Sequence, residues 1–158
     1  MKQQNHTTLK GYLLQLTKHT DYAIRVLIYL NTQVDQAPLV KATDIAELFG
    51  ISFNHLTKVI HHLGKAGFIQ TVRGKSGGIK LAKPADQINL GNVIEVMEST
   101  LSPVNCQDPP CRLNSVCLVK PIFHKAMQAF LDELRKHSLA DICIAKSDDV
   151  WKVAIELA

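Results

Sequence analysis

Apolar residues recur at helical spacing in five stretches of the chain and alternate in two short ones. Thr20-Asp21 opens the first helical stretch. Thr20 is placed to cap it, Asp21 suits the positive end of the helix dipole, and Ala23, Ile24, Leu27, Ile28 and Leu30 form its apolar stripe. Thr43 to Phe49 predicts a short second helix stopped by Gly50. Ser52 predicts the cap of a third helix that runs to about Ala66 and ends at Gly67. Phe53, Leu56, Ile60 and Leu63 are its expected buried stripe, which leaves Asn54, His55, Lys58, His62 and Lys65 largely outside.

Two β-patterned runs follow, Phe68 to Arg73 and Ile79 to Ala82, on either side of Gly74-Lys75-Ser76-Gly77-Gly78. Those glycines supply the positive φ angles of a hairpin tip. A further helix is predicted over Val93 to Ser99. Prolines at 103, 109, 110 and 121 exclude regular structure from the stretch between. Beyond it a long helix reaches about His137, with Phe123, Met127, Phe130 and Leu134 as a seam suited to pairing with a second helix. Residues 1–14 are polar and aperiodic. There are no internal repeats or low-complexity segments.

Short helix, tight turn, longer helix and two-stranded hairpin is the order of a winged helix-turn-helix. The expected fold class is therefore mainly α with a small β wing. The expected organisation is an N-terminal extension (1–14), a winged helix-turn-helix DNA-binding domain (15–85), a connecting helix and cysteine loop (86–118), a dimerisation helix (119–145) and a C-terminal tail (146–158).

Charge sharpens this picture. Residues 1–83 carry eleven Lys and Arg against four Asp and Glu, whereas residues 84–158 carry seven against ten. A basic half joined to an acidic half predicts that one of them meets a polyanion. On the third helix Ser52, Asn54, His55 and Lys58 are candidate contacts to base edges and phosphates in a major groove. At the hairpin tip Arg73, Lys75, Ser76 and Gly77 can approach a phosphate ridge or minor groove closely. No window holds the roughly 18 consecutive apolar residues of a membrane helix, and no secretory leader is recognisable. A cytoplasmic protein with reduced thiols is expected.

Four cysteines then require explanation: Cys106, Cys111, Cys117 and Cys143. The first three form C-x4-C-x5-C in a proline-stiffened loop. Three thiolates converging there make a soft half-shell fit for an iron–sulfur cluster, zinc or Cu(I). The spacing departs from the C-x2-C pairs usual in structural zinc sites. Candidates for a fourth ligand are Cys143, in the apolar setting Ile142-Cys143-Ile144, and also His124, His137 and Asp21. An enzyme is not expected: there is no C-x-x-C redox pair, no Gly-x-Gly-x-x-Gly after a strand and no evident acid/base dyad.

From about Gln15 to Cys143 the chain resembles the Rrf2 family of bacterial transcription regulators. The resemblance rests on Leu16-Thr17-Lys18-His19-Thr20-Asp21-Tyr22, Ser52-Phe53-Asn54-His55-Leu56-Thr57-Lys58, the run Val72 to Leu81, Lys83-Pro84-Ala85 and the three-cysteine loop. Asn54-His55 and the cysteine spacing lean toward its nitric-oxide-sensing repressors over its cluster-biogenesis regulators. The resemblance implies a homodimer on palindromic double-stranded operator DNA and an iron–sulfur cluster, [4Fe–4S] favoured and [2Fe–2S] possible. It implies Cys106, Cys111 and Cys117 as ligands, with Asp21 completing the shell from the other subunit and Arg25 one turn on. Nitric oxide is the implied signal and its detoxification genes the implied targets. Cys143 has no counterpart among those ligands.

Overall fold

The first helix starts three residues earlier than its apolar stripe suggests. In the computed structural model, which describes residues 15–34, 39–74 and 76–143, α1 spans Lys18–Thr32 and its cap is Thr17. Thr17 Oγ1 accepts from the Thr20 backbone N–H at 3.3 Å. Thr20 lies inside the helix and is fully buried, its hydroxyl 3.2 Å from that of Thr17. The cap is therefore Thr17 and not Thr20, whose own N–H is the group being capped. Ala23, Val26, Leu27 and Leu30 form the face of α1 that enters the core.

Helices α2 (Ala42–Leu48) and α3 (Phe53–Lys65) meet at a turn in which Gly50 has φ +60°. Ile51 is buried in that turn and Ser52 caps α3, accepting from the His55 N–H at 3.4 Å. Leu56, Val59, Ile60 and Leu63 are the buried face of α3. Phe53 is not part of it. At the first helical position it is 53% exposed, and Val59 takes the inner place expected for it.

After Gly67 (φ +76°), strands β1 (Ile69–Val72) and β2 (Gly78–Leu81) pair antiparallel with Ile69 opposite Leu81 and Val72 opposite Gly78. Val40 adds an isolated bridge on the other side of β2. Its N–H and C=O exchange hydrogen bonds of 2.9 and 2.8 Å with Ile79. The approach is close at Gly78 too, where a Cβ would lie 2.7 Å from the Val40 carbonyl oxygen.

A short 3₁₀ turn (Ala85–Gln87) leads to α4 (Leu90–Met97), capped by Asn89. Residues 99–118 are a turn-rich loop, and α5 runs over Val119–Leu134. The chain does not continue as one helix to position 145. It breaks at Arg135–His137 and forms a one-turn helix α6 (Leu139–Ile142), held by a capping box between Ser138 and Asp141. Leu139 is fully buried, its N–H donating to Ile88 O at 2.7 Å, while Leu90 N–H donates to His137 O at 3.0 Å. This segment therefore packs back onto α1 and the 3₁₀ turn and completes the main hydrophobic core. On α5 the buried positions are Met127 and Leu131. Phe130 and Leu134 are half-buried, and Phe123 is exposed together with Ile122 and Val119. Among the described residues no helix is long and apolar enough to cross a membrane.

Candidate DNA interface and cysteine loop

Capping and packing fix which side of α3 faces outward. With Leu56, Val59, Ile60 and Leu63 inside, the residues Asn54, His55 and Lys58 lie on the exposed side, and Ser52 is exposed at its start. His62 is half-buried because it reaches α1, where its Nδ1 lies 3.1 Å from His19 Nε2. The wing presents Arg73 and Ser76, both exposed, at its tip. Gly74 has φ +112°, and its carbonyl accepts from Gly77 N–H at 2.9 Å. A Cβ on Gly77 would meet the Val72 and Gly74 carbonyl oxygens, the latter at 2.9 Å. The tip is tight because glycine stands at both positions. Lys75, the remaining wing candidate, lies outside the described residues.

The sequence reading missed one part of this surface. A cleft of about 310 Å³ runs between the start of α1 and α3, lined by Lys18, His19 and Tyr22 on one side and His55, Lys58 and Val59 on the other. Lys18 and Tyr22 stand one helical turn apart, so an i, i+4 reading of α1 that looked beyond its apolar stripe would have found them.

The three loop cysteines are free thiols. Cys106 and Cys117 are partly covered and Cys111 is exposed. Cys111 N–H donates to Cys106 O at 3.1 Å, and Asn114 N–H donates to Cys111 O at 3.1 Å. Asn105 Oδ1 accepts from the N–H groups of Gln107 and Asp108 at 3.0 and 3.2 Å, and the Asp108–Pro109 peptide is cis. Local turns thus shape this loop in place of an apolar core.

Among the described residues, no three His, Cys, Asp or Glu side chains come together in a way that could hold a metal ion. The expected convergence of three thiolates is therefore not present within a single chain. The loop is shaped by its backbone turns, with Cys106 and Cys117 partly covered and Cys111 exposed. Asp21 is engaged elsewhere, its carboxylate 3.0 Å from Arg25 Nη2 one turn along α1, with both side chains about half exposed. The donor chemistry nonetheless suits a soft metal cluster: three unpaired thiols on one loop without a disulfide. Of the other candidates, His124 and His137 are exposed. Cys143 packs against the helical core, where burial pushes its thiol pKa up against an opposing hydrogen bond from Asn31.

Comparison with known proteins agrees with this architecture. Residues 16–145 match the family model Rrf2, described as an iron-dependent transcriptional regulator. Over 138 residues the chain is 40% identical to the HTH-type transcriptional regulator NsrR of Shouchella clausii (strain KSM-K16), covering 85% of this chain and 92% of that protein. Among solved structures it is similar to IscR of T. potens, at 26% identity and a TM-score of 0.64 over 82% of this chain and 85% of that one. The fold is also shared with CymR of B. subtilis, the global cysteine regulator, at 24% identity and a TM-score of 0.61 over 83% and 97% of the two chains. Helix-turn-helix, wing, cysteine loop and these likenesses lead to one assignment: the chain belongs to the Rrf2 family of transcriptional regulators.

Proposed function

We propose that this regulator is a homodimeric repressor that senses nitric oxide through an iron–sulfur cluster and then releases the operator DNA of nitric oxide detoxification genes. The observation that carries the reading is the loop of three free thiols spliced between α4 and α5 of a winged helix-turn-helix. The 40% identity to NsrR supports the same choice.

Cys106, Cys111 and Cys117 would hold the cluster, with Asp21 of a second subunit as the fourth ligand. When bound, such a cluster supplies a site at which nitric oxide reacts. The residues of the chain do the rest. Ser52, Asn54, His55 and Lys58 enter the major groove, while Arg73, Lys75, Ser76 and Gly77 place the wing on the backbone. Lys18 and Tyr22 extend that basic face toward the phosphates. Leu113, Val116, Leu118, Val119 and Ile122 are all at least half exposed and form the apolar surface for dimerisation. The Arg25 guanidinium, paired with Asp21, keeps that carboxylate oriented until a partner loop arrives.

The test is an anaerobic titration with nitric oxide, followed by absorbance and operator binding together. A brown protein that loses its broad band near roughly 400 nm and its operator affinity in step supports the reading. A colourless, zinc-loaded protein whose DNA binding ignores nitric oxide sinks it. The second reading is a cluster-biogenesis or general redox regulator of the same family, which the same loop of three free thiols would serve. That reading predicts a response to cluster supply and none to nitric oxide.

A further inference from the structure

The first turn of α1 is tied to two parts of the molecule with separate tasks. Glu98 is the C-cap residue that follows α4 and leads into the cysteine loop, and its own N–H donates to Ile94 O at 2.9 Å. Its Oε1 accepts from Thr17 N–H at 2.8 Å and from Thr17 Oγ1 at 3.2 Å. Thr17 caps α1, and Thr17 O accepts from Asp21 N–H at 3.0 Å. Two residues past the cap, His19 Nε2 lies 3.1 Å from His62 Nδ1 on α3, the rings 5.4 Å apart between centroids. Beside this turn the first residues of the loop (Thr100 to Pro103) pack with Leu16, Met127 and Phe130 around a cavity of about 90 Å³.

We propose that Glu98 is a positioning residue that couples the cysteine loop to the DNA-reading helix within one subunit, acting through Thr17 and the His19–His62 pair. The proposal rests on the regulator reading above and adds to it a route inside the chain. A displacement of residues 99–118 pulls on Glu98, which is anchored on the cap of α1. A shifted cap turns His19 against His62, and α3 follows. Each tie is a hydrogen bond of ordinary length, so the route is local and can be cut at a named atom. Coupling through such a route is a claim about linked equilibria, and linked equilibria are what decide it.

The experiment compares wild type, Glu98→Ala, Glu98→Gln and His62→Phe. Operator affinity is measured in cluster-loaded and cluster-free protein, iron per chain is counted, and amide exchange is followed across Phe53–Lys65 in cluster-free protein. With Glu98→Ala the ratio of the two affinities narrows about tenfold, within the usual range of allosteric couplings. Iron content and cluster-free affinity stay at wild-type values, and exchange across α3 quickens. Glu98→Gln keeps an oxygen that can accept from Thr17 and retains most of the ratio. His62→Phe narrows the ratio from the other end of the route.

An unchanged ratio with unchanged exchange overturns the proposal. So does a loss of iron in Glu98→Ala, which would make Glu98 a ligand or a loop-folding residue. A wild type with equal affinity in both forms defeats the regulator reading itself. The route is then judged on exchange in cluster-free protein alone, which requires no cluster.

Discussion

Gly91 on α4 packs against Arg135 at the end of α5 with no space between them. A Cβ on Gly91 would strike the Arg135 side chain and lie 3.0 Å from both Arg135 N and Leu131 O. Arg135 is locked in that place: its guanidinium bonds Glu95 on α4 at 2.7 Å and Asp132 at 3.0 Å, and its carbonyl accepts from Asn89 Nδ2 at 2.6 Å. Gly91→Ala therefore has to push the two helices apart. The expected cost is about 1–3 kcal/mol, the usual penalty of overpacking, read as a lower urea midpoint. A variant as stable as wild type would show that this seam yields freely.

Lys58 belongs to the exposed face of α3 and also lines the cleft against α1. If its ammonium sits on a DNA phosphate, Lys58→Ala weakens binding similarly on all sequences. It also reduces the slope of log affinity against log salt by about 0.9. Titrations of one operator at four salt concentrations are sufficient. An unchanged slope removes Lys58 from the phosphate contacts.

The four thiols should separate by reactivity in cluster-free protein. Cys111 is exposed, whereas burial raises the Cys143 thiol above its ordinary pKa of 9.0. The thiolate is the reacting species, so near pH 8 iodoacetamide should label Cys111 first and Cys143 last. Peptide mass spectrometry against time gives the order. Early labelling of Cys143 would mean that α6 does not stay packed on the core.

Acid should loosen α6 before the rest of the fold. The Ser138 N–H and hydroxyl donate to Asp141 Oδ2 at 2.7 and 2.8 Å, and with nearby His137 they hold the carboxyl below its ordinary value of 3.8. The folded pKa is the lower one, so the stabilisation is complete above the unfolded value and is lost as pH falls through the folded value. Amide exchange at Leu139 should accelerate in that acid window. Asp141→Asn, which keeps an acceptor without the charge, should flatten the dependence.

How far the sequence foretold this molecule varied with the physics behind each signal. Ser52, Gly50 and Gly67 were legible because capping and positive φ are local requirements met by few residue types. Local rules placed the start of α1 at Thr20, three residues past the actual cap, Thr17. Tertiary contacts decided for Thr17, through Glu98 eighty-one positions away. Phe53 matched the helical period of α3 yet fell outside the core, since periodicity cannot tell a helix end from its middle. On α5 the period was right, and within one chain Met127 of the expected seam is buried together with Leu131, which the seam did not include. Helix α6 carried no pattern because four residues are too few to show one. The cysteine loop was legible as chemistry but not as geometry: spacing identified the thiols, while the turns that shape the loop depend on Asn105 and on backbone bonds.

The bridge between Val40 and Ile79 makes the wing a fixture of the helical body. Because β2 is fastened to the chain just ahead of α2, backbone bonds as well as side-chain packing join the hairpin to the helices. Folding the wing away would break these two backbone hydrogen bonds in addition to its side-chain packing.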